Sequence, residues 1–400
     1  MIYSKRNKIL NISTRVKLCL LISLSLVLRA SFFIRKRDAN NFNQVDPSNA
    51  IAIVLIALSV LFLTTKKGIL VIRLVWNSPF KYFILYCFYC AITAIWSVDP
   101  IYTIYRSVEI LVILFLIAYI IFSIRDELSI RSISLLYLSV ALLGGIGFYI
   151  KIGNFSFTGF HTNSYSFIAA FSIIFSYYHL KLFRLLKIKK LIKFSKALYL
   201  FAILSLIVGT SSASNVSFLV GIVIIVFISK KNNFFKVALI LLLTILIVFW
   251  TFFGDSIMEI VFPGKDTNDI VTARGRVGMW QHYIQGFFDN PIFGYGFPSG
   301  EKLGKNFGWV TTSSTHNMLL SVGINTGSIG LFLFGTFLAS YTVFLIKKIN
   351  LYWEAKYFLA IWFIIILNSM SYPALGSHWY YVTSPIFFIM IYSYRMLNKK

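Results

Sequence analysis

The sequence predicts an all-α polytopic membrane protein of about 12 transmembrane helices, on three observations. Only 13% of its 400 residues are charged and 58% are hydrophobic, where a soluble domain of this length would be roughly a quarter charged. The apolar residues gather into blocks close to the roughly 20 residues that cross a bilayer. The basic residues lie between those blocks, mostly at every second connection. A water-soluble enzyme is therefore excluded.

The first block, 17–34, follows a basic stretch and has the outline of a secretory signal. No small-x-small cleavage site follows, and Arg29, Arg35, Lys36 and Arg37 close the run, so it reads as a retained span. Blocks 49–65, 80–97, 103–124, 130–150 and 162–180 come next through short connections, then 197–212, 213–229 and 235–253, and finally 318–346, 355–371 and 379–397. Two connections are long. One, about 181–196, carries seven basic residues and no acid; the other, about 254–315, holds six of the 13 acids. The chain thus divides into transmembrane helices 1–9 over residues 1–253, a large loop over 254–315 and transmembrane helices 10–12 over 316–400.

With the N-terminus inside, 26 of the 38 basic residues fall in cytoplasmic segments and 9 outside, with Arg29, Lys81 and Arg106 at span edges. Short cationic loops stay on the cytoplasmic side, so both termini are expected there and the large loop in the periplasm. The net charge of +25 is then a topology signal with some attraction to anionic membrane lipids, and gives no reason to expect nucleic acid. Cys19, Cys87 and Cys90 all lie inside spans. The C-x-x-C of the last two has helical spacing and no His or Cys cluster beside it, which reads as packing and supports neither zinc nor a disulfide.

Within the large loop, Thr272 to Asn290 reads as an amphipathic helix with Val277, Trp280, Ile284 and Phe287 along one face. Arg274 and Arg276 fall in its first turn, where backbone N–H groups add partial positive charge and make an anion site; the competing reading is a pair of interfacial anchors. The helix ends at Asn290-Pro291, and Gly294, Gly296 and Gly300 mark an irregular segment. The loop re-enters the membrane through residues 311–317, where Ser314 or Thr315 as N-cap would put His316 at a helix start. A lone interfacial histidine is more often structural than catalytic, but proximity to Arg276 shifts that balance.

Three other places put polar groups on the same side: Trp96-Ser97-Val98-Asp99-Pro100, Gly159-Phe160-His161-Thr162-Asn163, and the turn from Thr210 to Asn215. Arg106 and Glu109, three apart on one helix face, are either functional or a self-neutralising pair. By topology all of these are able to line one cavity. The sequence has no P-loop, no D-x-D, no H-E-x-x-H and no G-x-S-x-G, which argues against nucleotide-driven or metal-driven chemistry. Basic groups, a histidine and an aromatic-rich loop suit a lipid-linked anionic donor whose diphosphate leaving group is stabilised by arginine.

These residues carry a family resemblance. Gly275-Arg276 with Trp280, Pro291-Ile-Phe-Gly294-Tyr-Gly296, and His316-Asn317 with Gly327-Ser-Ile-Gly330 resemble, in order, the signatures of the O-antigen ligase and polysaccharide polymerase superfamily; Trp96 to Pro100 and Gly159 to Asn163 are similar to its upstream motifs. The resemblance covers roughly residues 80 to 375. It implies a GT-C-like fold in the bacterial inner membrane and an inverting, metal-independent glycosyltransferase without cofactors. The donor would be an undecaprenyl-diphosphate-linked oligosaccharide used at the periplasmic face. Arg276 would bind the diphosphate, and His316 would be essential, as base on the acceptor or as a diphosphate ligand. Arg274, Trp280, Asn317, Arg106, Trp96, Asp99, His161 and Asn163 would belong to the substrate site.

One departure stands out: the Ser-Arg pair common in the family before the eighth span is Thr210-Ser-Ser-Ala213-Ser here, so Arg274 or Arg106 would have to replace the second arginine. The resemblance leaves two acceptors. A polymerase uses another lipid-linked repeat unit of O-antigen or capsule, with room for a chain-length regulator as partner, and a ligase uses lipid A core. The polymerase is the favoured reading. A flippase or transporter for the same lipid-linked sugars is the alternative from another class; it would place charges at the midplane and show paired broken helices.

Overall fold

The computed structural model describes residues 47–146, 162–209, 211–229, 276–306, 314–378 and 381–398. The predicted spans 17–34 and 235–253, with His161 and Arg274, lie outside them. Among the described residues there is no strand. The helices are α1 (Pro47–Leu63), α2 (Lys66–Trp76), α3 (Phe80–Ile92, continued by the 3-10 turn Thr93–Ile95), α4 (Pro100–Ser123), α5 (Glu127–Ile146), α6 (Thr162–Leu185), α7 (Lys189–Val208), α8 (Ser212–Ile228), α9 (Arg276–Asp289), α10 (Gly300–Asn306), α11 (Met318–Lys348), α12 (Ala355–Ser369) and α13 (Thr383–Leu397). Every predicted apolar block inside the described residues is helical. Of these helices α4, α6, α7 and α11 are each long and apolar enough to cross a membrane; α1 and α2 form a candidate pair bent by 97°, and α3, α8 and α12 are shorter apolar helices.

The centre of the bundle is α6. Phe167, Ile168, Ala169, Ala170 and Phe171 are all fully buried, so the helix is covered on every side, by α5, α7, α8 and α12. Without a hydrophobic force between helices in lipid, close approach and polar contacts do the joining. At Gly221 of α8 an added Cβ would stand 2.7 Å from Ile364 of α12. One turn along α12, Asn368 accepts from Ser214 at 2.9 Å and donates to Ser217. A second group forms where α3 packs on α4 and α11, and α4 on α13.

The two ends of the bundle are chemically distinct. At one, two cations close the C-terminus of α4: Lys67 donates to the Ser123 carbonyl at 3.0 Å and Arg395 to that of Ile121. The expected loop at 181–196 is here only a tight turn, because α6 runs to Leu185 and α7 begins at Lys189. Lysine and arginine are good helix formers, so these helices extend beyond their apolar stretch. Helix α2 was also not anticipated. Thr65 caps it, accepting from the Gly68 N–H at 3.0 Å, and Gly68, Val71 and Val75 make its buried stripe.

At the other end the predicted continuous span 318–346 is broken. Gly327 has φ +64 and ψ −163 inside α11, which frees backbone groups on both sides of it. The segment 291–296 takes them up: Tyr295 and Gly296 N–H donate to the carbonyls of Ile324 and Asn325 at 3.0 and 2.9 Å, and Ser328 N–H donates to the Pro291 carbonyl at 2.7 Å. The backbones meet so closely that a Cβ on Gly294, itself at φ +65, would lie 2.6 Å from the Gly327 nitrogen. Irregular backbone inside an apolar helix bundle is tolerated because protein satisfies it. The two glycine motifs are therefore halves of one joint.

Candidate active site

The first turn of α9 begins at Arg276, which is half-buried and donates from Nη1 to the Ser371 carbonyl at 3.4 Å. One turn on, the Trp280 indole N–H donates to the carbonyl of Thr315 at 2.9 Å, and a further turn on Tyr283 donates to the carbonyl of Glu301 at 2.7 Å. These contacts define the packed face of α9 as Trp280, Tyr283, Gly286 and Phe287. Val277 and Ile284, expected on that face, are 39% and 42% exposed and sit with Phe288 on the outer side. The apolar arc is wider than the packed stripe, and its unpacked margin suits an interfacial helix.

Thr315 precedes His316, so Trp280 links the Arg276 turn to the histidine. The helix N-cap is neither Ser314 nor Thr315 but Asn317, whose side-chain oxygen accepts from the N–H groups of Leu319 and Leu320 at 2.9 and 3.2 Å. Thr315 instead bonds across Asn317, donating to its carbonyl at 2.8 Å and accepting from its N–H at 3.2 Å. His316 thus lies just outside the helix, half-buried, with φ +49. A non-glycine residue held in the left-handed region costs energy that its surroundings must supply, and such residues cluster at functional sites.

Beneath this turn lies a carboxylate that sequence reading counted among the loop acids and gave no role. Glu301 of α10 is 2% exposed. Its Oε1 accepts from Ser321, from Asn325 Nδ2 at 3.1 Å and from Ser377 at 3.0 Å, and its Oε2 accepts from the Thr315 N–H at 3.2 Å. The Asn325 side-chain oxygen in turn accepts from the Glu301 N–H at 3.1 Å. Burial pushes the Glu301 carboxyl above its ordinary range, with the four donors pulling the other way. Ser321 and Asn325, four apart inside an apolar block, were the available signal: polar groups at helical spacing in a span imply a buried partner.

The upstream candidates reach the site by different routes. Asp99 is exposed and caps α4, accepting from Tyr102 N–H at 3.1 Å, while Trp96 packs edge-on against Phe293 at 5.4 Å. The Trp96 indole N–H meets no acceptor among the described residues. Arg106 is 3% exposed and pairs with Glu109 at 2.6 Å. Its guanidinium also lies 5.0 Å from the Tyr102 ring centroid, and the Lys302 ammonium lies 3.5 Å from the same centroid. Asn163 accepts from Ser211 at 2.9 Å, and Ser211 leads through Ser214 to Asn368, three residues before the Ser371 that meets Arg276. The structure therefore brings Arg276, Trp280, His316 and Asn317 to one place. Arg106 approaches through α10, and Asn163 borders the far side.

Among the described residues no three His, Cys, Asp or Glu side chains gather as metal ligands would. No curated protein matches the chain. The family model described as O-antigen ligase matches residues 197–335, a stretch that contains Arg276, Trp280, Glu301, His316 and Asn317 and leaves out Trp96, Asp99, Arg106 and Asn163. Over that stretch, about a third of the chain, the sequence is similar to the O-antigen ligase family, and its described residues there are helical and largely apolar.

Proposed function

We propose that this protein is an inverting, metal-independent glycosyltransferase of GT-C-like architecture with about 12 spans, using an undecaprenyl-diphosphate-linked glycan at the periplasmic face to polymerise O-antigen or capsule repeat units. The observation that carries the reading is the Trp280–Thr315 bond. It joins a helix N-terminus bearing a half-buried arginine to a histidine held in a left-handed conformation. An acceptor hydroxyl oxygen attacks the anomeric carbon as the bond to the diphosphate oxygen breaks, and the hydroxyl proton leaves to a base. Arg276, aided by the N-terminal N–H groups of α9, meets the negative charge that develops on the diphosphate. His316 either takes the proton or supports the diphosphate. The Trp96 indole N–H is a donor that a sugar oxygen would satisfy.

The second arginine of the clamp falls to Arg274, since Arg106 has its charge met by Glu109. With both termini cytoplasmic, a cysteine placed at residue 265 should react with an impermeant thiol reagent from outside and one at residue 190 should not. Purified enzyme should keep its activity in excess EDTA. A ligase that delivers the chain to lipid A core is the second reading, favoured by the description of the matching family model. Deleting the gene separates the two. Single repeat units left on the lipopolysaccharide mark a polymerase, and bare core with glycan retained on the lipid diphosphate marks a ligase. Breakdown of flipping instead, with lipid-linked units trapped inside, would replace both by a transporter.

A further inference from the structure

Glu301 joins four parts of the site at once. Its carboxylate holds Thr315 next to His316, Ser321 and Asn325 on the first segment of the broken α11, and Ser377 in the segment that begins with the Arg276 acceptor Ser371; its own carbonyl holds Tyr283 of α9. Thr315 is clamped between two of these elements, its N–H on Glu301 and its carbonyl on Trp280. Both bonds lie one residue from a left-handed histidine whose conformation needs external support. Resting on the catalytic reading of His316, we propose that Glu301 is a positioning residue, which locks the backbone carrying His316 in register with the first turn of α9. At 2% exposure it does not itself touch substrate.

The hydrogen-bond inventory makes the carboxylate hard to replace. All four partners donate, and Asn325 is fixed as a donor because its oxygen already accepts from the Glu301 N–H. In Glu301→Gln one of the two terminal atoms becomes an NH2 group. If it faces Thr315, two N–H groups oppose each other and the tether is lost. If it faces the other side, the serine hydroxyls are able to turn and accept, but Asn325 is not, unless it flips and abandons the Glu301 N–H. Every arrangement leaves one buried donor pair unmet.

The test uses the full-length protein in nanodiscs, with diethyl pyrocarbonate as probe and modification read at each histidine by mass spectrometry. His282, exposed on α9, is the internal reference. Glu301→Gln should change the His316 modification rate severalfold while His282 is unchanged, and should lower kcat roughly tenfold or more with donor KM within about twofold. Glu301→Asp keeps the charge but is one methylene short, and should move both quantities the same way. It carries the test if the glutamine variant does not insert. An unchanged His316 rate in the inserted variant overturns the positioning role. A changed His316 rate with full turnover supports the positioning and refutes instead the catalytic role of His316.

Discussion

The two ends of the helix bundle both bury polar and charged groups, but they satisfy them differently. At the basic end, Arg131 is shared among Glu127, Tyr178 and Tyr392, while His179 donates from Nδ1 to the Phe175 carbonyl at 2.9 Å and accepts at Nε2 from the Tyr392 hydroxyl at 2.9 Å. Side chains there meet side chains or helix carbonyls, and regular helices run past one another. At the loop end, the buried groups hold irregular backbone: Glu301 grips Thr315, segment 291–296 fills the break at Gly327, and Asn317 caps the helix after a strained His316. Arg276 and His316 are left half-buried. A closed network fastens helices together; a network spent on backbone holds a few half-buried side chains in one arrangement. The prediction is that damage at the basic end lowers the amount of inserted protein, whereas damage at the loop end lowers activity per inserted molecule.

The largest effects should come from Arg276 and His316. Removing one preorganised contact to a developing charge costs about 3 kcal/mol, or about a hundredfold in rate. Arg276→Ala should show this in product formed per inserted enzyme. Arg276→Lys should be nearly as poor, because an ammonium keeps the charge but lacks the planar two-point contact. His316→Ala should be inactive, and His316→Gln separates the two roles, keeping some turnover only if the imidazole acts by hydrogen bonding. As the contrast, Tyr392→Phe at the basic end should leave specific activity unchanged. Normal specific activity in both Arg276→Ala and His316→Ala would remove the distinction between the ends.

The difference between the ends also explains what sequence reading reached. Periodicity and hydropathy located the helices because regular helices are set by local sequence and burial. The basic clustering between spans was visible for the same reason, although its helical extensions were read as a loop. The site motifs were legible as signatures but not as geometry. Nothing local in Gly327-Ser-Ile-Gly330 says that its helix breaks at the first glycine; that follows from contact with Gly294, 33 residues earlier in the chain. Glu301 was missed because Ser299-Gly300-Glu301-Lys302 looks like a solvated turn, and its four donors come from positions 315 to 377. The face of α9 was misjudged because apolar spacing cannot distinguish a margin left exposed, as at Val277 and Ile284, from one packed on protein.

Arg106 sharpens the comparison, since it lies at the loop end yet is closed in the manner of the basic end. Its pairing with Glu109 is almost fully buried, and removing one member of such a pair strands the other at a cost of about 3 kcal/mol. Arg106→Gln alone should therefore reduce inserted protein. The Arg106→Gln/Glu109→Gln double variant should restore insertion and retain specific activity, because no buried charge is left uncompensated. The Arg106 Nε, which meets no acceptor among the described residues, argues the other way. If the double variant inserts normally but turns over poorly, Arg106 is the second phosphate arginine after all.

The smallest effect is expected at Lys302, on α10 beside the Glu301 that holds the site together. Its ammonium lies 3.5 Å from the centre of the Tyr102 ring, so it joins α10 to α4 and is not a detached loop cation. A cation–π contact at a partly exposed position contributes about 0.5 to 1 kcal/mol. Lys302→Ala should then lower the thermal stability of the solubilised protein slightly, while turnover falls by no more than about threefold. Lys302→Arg should restore both, since a guanidinium covers a ring face as well as an ammonium does. If Lys302 served the diphosphate directly, the expected pattern would be different: a loss in turnover comparable to Arg276→Ala, with thermal stability unchanged and a raised donor KM. That result would extend the catalytic surface from α9 to α10 and make the loop end a two-helix anion site.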